Sequence, residues 1–156
     1  MLTLAWYLRQ RDSQRALAFA DEAESLFAAV TNNGSHRVDE SPDGHVRLAL
    51  VRAEAFALMH DFERAERFLQ SAKSAFAASG NFLGEGDAFL VEAIVALEQG
   101  GMARTASAID SAVNCFKKCD DVARQLTGEA WSIYFQSFTV PEIARDHLAQ
   151  LLIRAG

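Results

Sequence analysis

The 156-residue chain holds only two prolines and two cysteines. Nor does it contain an apolar run approaching the ~20 residues that span a bilayer, because Glu, Arg or Asp breaks each one early. Each shortage excludes something. With proline so rare and alanine the commonest residue, the prior is strongly helical and an all-β sandwich is nearly excluded. Two cysteines cannot form a disulfide scaffold, and none is needed, since a chain of this length buries roughly 68–70% of the surface its unfolded form exposes. Cys115 and Cys119 lie four apart on one expected helical face and read as unpaired small hydrophobes in a reducing compartment. Residues 1–9 have no basic segment ahead of their apolar stretch, so no signal peptide is expected and the expected location is the cytoplasm, without a membrane partner. Positive charge is also short, at 15 Lys and Arg against 21 Asp and Glu, for a net charge of −6. No basic stripe offsets it, so nucleic acid is not an expected partner.

What is present is a period. Ala65 is followed by Leu69, Ala72 and Phe76, Thr105 by Ile109, Ala112 and Phe116, Ala16 by Ala20, Ala23 and Phe27, and Ala144 by Leu148, Leu151 and Ala155. The offsets are the same each time and trace one stripe of an α-helix. Each such helix has an upstream partner whose matching sites are Leu4 and Tyr7, Ala53 and Phe56, Ala93 and Ala96, or Ser132 and Phe135. The unit is therefore a helical hairpin. Its turn falls at Asp12, Asp61, Gly101 or Val140, where Asp and Gly suit a tight turn or an N-cap, and Pro141 fits the first turn of the last helix.

The pattern predicts an all-α single domain over 1–156, with eight helices near 2–11, 13–30, 45–59, 62–78, 84–98, 102–118, 122–138 and 141–154. The four repeats run approximately 1–44, 45–83, 84–121 and 122–156, with a polar loop insertion at 31–44 in the first.

Small residues where paired helices cross, a large ring before the turn and Gly- or Asp-type turns together resemble the tetratricopeptide repeat. The clearest stretch carries Phe56, Asp61, Phe62, Ala65, Ala72, Gly80, Asn81, Phe82, Leu83 and Gly84. The period near 40 looks like the longer variant of bacterial signalling proteins, and residues 4–18 resemble the N-terminal repeats that precede GGDEF-type diguanylate cyclase domains. The cyclase signature itself is missing, so no cyclase activity is implied. The chain departs from the repeat where Ala49, Phe89 and Gly128 replace its early Trp, where Ala53 and Ala93 replace its first Gly, and in lacking its closing Pro. The resemblance implies a right-handed α–α superhelix and a regulatory role in protein binding.

Within that register Ala16, Ala23, Ala65, Ala72 and Ala112 sit where helix axes approach to about 8–10 Å, and Phe27, Phe76 and Phe116 fill the space between successive hairpins. The inner, concave face is expected to present Leu50, Glu54 and Ala57, then Leu90, Ile94 and Leu97, then Glu129, Ile133 and Gln136. Its apolar centre would be an exposed patch of the kind that accepts a partner helix, so the expected partner is a protein segment or a second copy. Only Arg47 supplies a basic group there, which disfavours capture of an acidic C-terminal tail. The alternative is a small-molecule sensor that encloses a ligand, with Glu54 and Arg47 as the polar contacts.

No enzyme chemistry is expected. Ser35, His36, Arg37, Asp39, Glu40 and Ser41, with Asp43 and His45 nearby, are residue types used by metal sites and hydrolases, but a polar insertion collects them without ligand spacing. Phosphate loops, nucleophile elbows and zinc-protease motifs are absent, so no catalytic residue, metal or cofactor is expected. Residues 151–156 form an apolar end with little to solvate a stack, which predicts pairing with another chain or further protein beyond.

Overall fold

The computed structural model describes residues 1–32, 43–119 and 121–155; the loop candidates Ser35, His36, Arg37, Asp39, Glu40 and Ser41 lie outside the described residues. Among the described residues there are eight helices and no strand: α1 Leu2–Leu8, α2 Ser13–Asn32, α3 Gly44–Leu58, α4 Phe62–Ser79, α5 Phe82–Glu98, α6 Met102–Lys118, α7 Val122–Thr139 and α8 Pro141–Ala155. The all-α expectation holds, and α1 is shorter than the sequence predicted, ending at Leu8. Consecutive helices pair as hairpins, α1 with α2, α3 with α4, α5 with α6 and α7 with α8.

The turn chemistry explains where these helices begin. Asp12 accepts a hydrogen bond from the Arg15 amide at 3.1 Å, and Asp61 does the same for Arg64 at 3.1 Å. Asn81 caps α5 through the Gly84 amide at 2.9 Å, and Asp121 caps α7 through the Arg124 amide at 3.0 Å. Each satisfies one donor that a helix start leaves unpaired. The period also appears in the backbone. His60 takes a left-handed conformation, φ 59°, with its amide on the Ala57 carbonyl at 2.9 Å and the Asp61 amide on the Phe56 carbonyl at 2.9 Å. Gly100, φ 75°, and Gly101 repeat that closure on Leu97 at 2.9 Å and on Ala96 at 2.8 Å. This conformation costs glycine nothing and costs a side-chain-bearing residue about 1–2 kcal/mol.

The chain divides into two compact units, Met1–Gly80 and Asn81–Gly156. In the first, α1 and α2 both pack on α3, and a core of Ala5, Ala16, Ala20, Ala23, Leu48 and Val51 is lined by Leu2, Trp6, Leu8, Phe19 and Phe27. On α4 the stripe Ala65, Leu69, Ala72 and Phe76 is fully buried. Phe27 is half-buried, its ring edge-on to His45 at 4.9 Å and close over Gly44, so it fills the joint between α2 and α3.

In the second unit α6 packs on both α5 and α7. Ala112 and Phe116 are buried with Leu90 and are lined by Leu83, Phe89 and Trp131. The Phe116 ring lies on two glycines. A methyl added to Gly86 would collide with three of its ring atoms, and one added to Gly128 would stand 3.2 Å from its Cδ2 and 3.1 Å from Val113 Cγ2. Gly128, a departure from the resembled repeat in the sequence, is thus the seat of a core ring. We expect Gly86→Ala to destabilise the protein by about 1–3 kcal/mol, because the buried Phe116 ring cannot swing aside without leaving its rotamer. Urea unfolding measures this, and an unchanged midpoint would show that α5 and α6 can separate freely.

Candidate functional site

The expected concave face is mostly closed. Leu50, Glu54, Leu90 and Ile94 are buried, and Leu97 and Ile133 are half-buried, so Leu90, Ile94 and Leu97 do not form an open patch. The physical reason differs between the units. Leu90 is drawn into the cluster with Ala112 and Phe116, on an α5 that is apolar around most of its circumference, as suits a helix enclosed by neighbours rather than one at a surface.

Glu54 is closed off by the end of α1. Arg9 Nε lies 2.5 Å from Glu54 Oε2 and Gln10 Nε2 lies 2.5 Å from Oε1, so both oxygens are taken. The Arg9 guanidinium also donates to the Trp6 carbonyl and stacks 3.9 Å over the Trp6 ring. Burial pushes the Glu54 carboxyl above the usual carboxylate range, against the opposing pull of Arg9 and Gln10. Glu54 thus has no accessible surface and turns both oxygens to the end of α1 rather than to an open cavity.

Other charged groups are likewise absorbed into packing. Arg52 bridges Asp21 at 2.7 Å and Glu24 at 2.6 Å, fastening α3 to α2. The buried Asp87 of α5 pairs with Arg124 of α7, and Arg104 of α6 with Glu92 of α5 at 3.1 Å. Cys115 is buried and Cys119 half-buried, both free. Burial first, and then the Glu85 carboxylate, raises the Cys115 thiol above its ordinary value, and burial followed by Asp121 raises Cys119, so neither is poised as a nucleophile. Among the described residues no group of three or more His, Cys, Asp or Glu could hold a metal ion, and no helix is long and apolar enough to cross a membrane.

The open surface lies on the last hairpin. A groove of about 440 Å³ runs between α7 and α8, lined mainly by Ala130, Ile133, Tyr134, Pro141, Ala144 and Leu148. The helical spacing of α7 produces it. Trp131 and Phe135, four apart, point inward onto Ala93, Ala108 and Ile109, while Tyr134 and Phe138, also four apart, point out and are exposed. Tyr134 stands edge-on to both Trp131 and Phe138, at ring separations of 5.8 and 5.0 Å. On α8 the exposed Leu148 and Leu152 continue the stripe. A second, polar hollow of about 260 Å³ includes Asp110, Glu129, Gln136, His147 and Arg154. Its groups bind one another, His147 to Gln136 at 2.9 Å and Arg154 to Glu129 at 2.8 Å, and so read as the polar seam of α7 and α8.

Tyr134, Phe138 and Leu152 were not among the sequence candidates. The signal for them was the period itself, since Leu148 and Leu152 occupy on α8 the places of Ile109 and Val113 on α6, which α7 covers. No protein-family model matches the chain, and no curated protein or solved structure matches it either.

Proposed function

We propose that this is a non-catalytic, tetratricopeptide-like module that binds a protein segment or a second copy, acting in the cytoplasm as the regulatory N-terminal region of a bacterial signalling protein. The proposal takes its four hairpins as turns of a right-handed superhelix. One observation carries the binding role: the groove between α7 and α8, lined by the exposed Tyr134 and Leu148, with the exposed Phe138 and Leu152 four residues further along the same helices. Apolar side chains at helical spacing beside a groove are the surface that a partner helix recognises, and a contiguous stripe of this kind marks an interaction site more often than isolated exposed residues do. The proposed face therefore moves from Leu90, Ile94 and Leu97 to the last hairpin.

A photo-crosslinking amino acid at position 148, introduced into the chain in its own cells, tests the reading. The expected result is a protein adduct of discrete mass that disappears when Tyr134 is changed to Glu. An intact, folded chain with no protein adduct at this position would overturn it.

A further inference from the structure

We propose that the occupant of the α7–α8 groove is the same groove of a second copy of this chain, joined about a two-fold axis so that Tyr134 and Phe138 of each copy rest on Leu148 and Leu152 of the other. This rests on the reading of the groove as a docking face and names its partner.

The first support is the internal repeat. On α6, Ile109 and Val113 are covered by α7, which lays Trp131 and Phe135 on the Ile109 cluster and seats Gly128 against Val113. The corresponding pair on α8, Leu148 and Leu152, is left 45% and 65% exposed. The chemistry that fits the first of this pair is thus already written in the chain: a helix presenting two aromatic rings four residues apart lies over Ile109, with a glycine beside Val113. The same hairpin presents such a pair to solvent, Tyr134 and Phe138, exposed by 52% and 60%. Tyr134 and Leu148, one from each pair, line the same groove, so ridge and complement meet on one surface, the condition for a self-complementary two-fold contact in which each patch meets its like.

Charge points the same way. The chain carries −6, which sets two copies against each other over most of their surface. Within residues 122–155, however, Arg124, Arg145 and Arg154 balance Glu129, Glu142 and Asp146, so this hairpin is a place where copies meet without net repulsion. Area is of the right order as well. The four side chains expose on the order of 400 Å² per copy, so pairing them covers about 800 Å² over two copies, close to the roughly 1,000 Å² of a specific contact.

Sedimentation velocity of the full chain, from micromolar to submillimolar concentration, provides the test. The expected species is a dimer of twice the 17.1 kDa chain mass. Tyr134→Lys and Leu148→Glu, both at exposed positions that leave helicity and melting temperature unchanged, should each raise the dissociation constant by about thirtyfold or more, as loss of a central anchor does. Mixing the two variants should restore association, since the two introduced charges then face each other at one contact and the native pair is kept at the other. A chain that stays monomeric throughout overturns self-pairing, while a crosslinked adduct to a different protein at position 148 would still uphold the docking face. A dimer untouched by either variant, or a mixture that remains monomeric, places any self-contact elsewhere and also overturns the proposal.

Discussion

Ala72→Arg is expected to leave no cooperatively folded protein at room temperature. Ala72 has no accessible surface and lies on the stripe of Ala65, Leu69 and Phe76 by which α4 packs in its hairpin with α3. Helix axes that meet over alanine approach to about 8–10 Å, leaving no volume for a long side chain. Overpacking alone costs about 1–3 kcal/mol. A guanidinium forced into that contact without a carboxylate adds several kcal/mol more, and the combined loss rivals the roughly 5–15 kcal/mol that holds an ordinary domain together. Ala77→Arg, an exposed site on the same helix, should change stability by no more than about 0.5 kcal/mol. Far-UV circular dichroism and thermal melting of the two variants separate the cases. If Ala72→Arg melted like the parent chain, the alanine stripe would not be the core of this hairpin.

That contrast also shows what could be read in advance. The stripe was legible because a packed helix must repeat its apolar positions every 3.6 residues, and Ala65, Leu69, Ala72 and Phe76 do so without interruption. The hairpin turns were legible because Asp12 and Asp61 carry the oxygen a helix start needs. Periodicity says that a face is covered, but it is silent on what covers it. Leu90 and Ile94 on α5 look as apolar as Leu148 and Leu152 on α8, yet the first pair is buried and the second is open. The difference comes from the number of neighbours around each helix, a tertiary property. Gly128 was misleading for a related reason. Its lack of a side chain reads as a lost aromatic until the Phe116 ring is seen seated against it. Glu54 was the hardest, since its partners Arg9 and Gln10 stand just past the end of α1, more than forty residues away in sequence, where no local pattern connects them.

Arg9→Ala should therefore expose how much of the first unit depends on that one carboxylate. Removing Arg9 takes away the ion pair at 2.5 Å and the cation stacked on Trp6, and leaves Gln10, among the described residues, to face a fully buried acid alone. Breaking a buried pair from one side costs about 3–5 kcal/mol near neutral pH, because the remaining charge is stranded. The pH dependence identifies the cause. Glu54 already titrates above the ordinary carboxylate range because burial disfavours its charged form, and Arg9 is the largest force holding it down. Over the interval between the ordinary and the raised value the folded state keeps a proton that the unfolded chain has released, so stability falls as pH rises through that interval and is regained on acidification. Without Arg9 the interval widens upward. The variant should recover stability steeply from neutral to mildly acid pH, whereas the parent chain recovers less. Glu54→Gln in the Arg9→Ala background removes the charge and should flatten that dependence while restoring much of the loss at neutral pH. Denaturant unfolding across this range measures all three chains. Equal stability of Arg9→Ala and parent at neutral pH, or a variant that weakens on mild acidification, would mean that Glu54 is not held in a dry site by the end of α1.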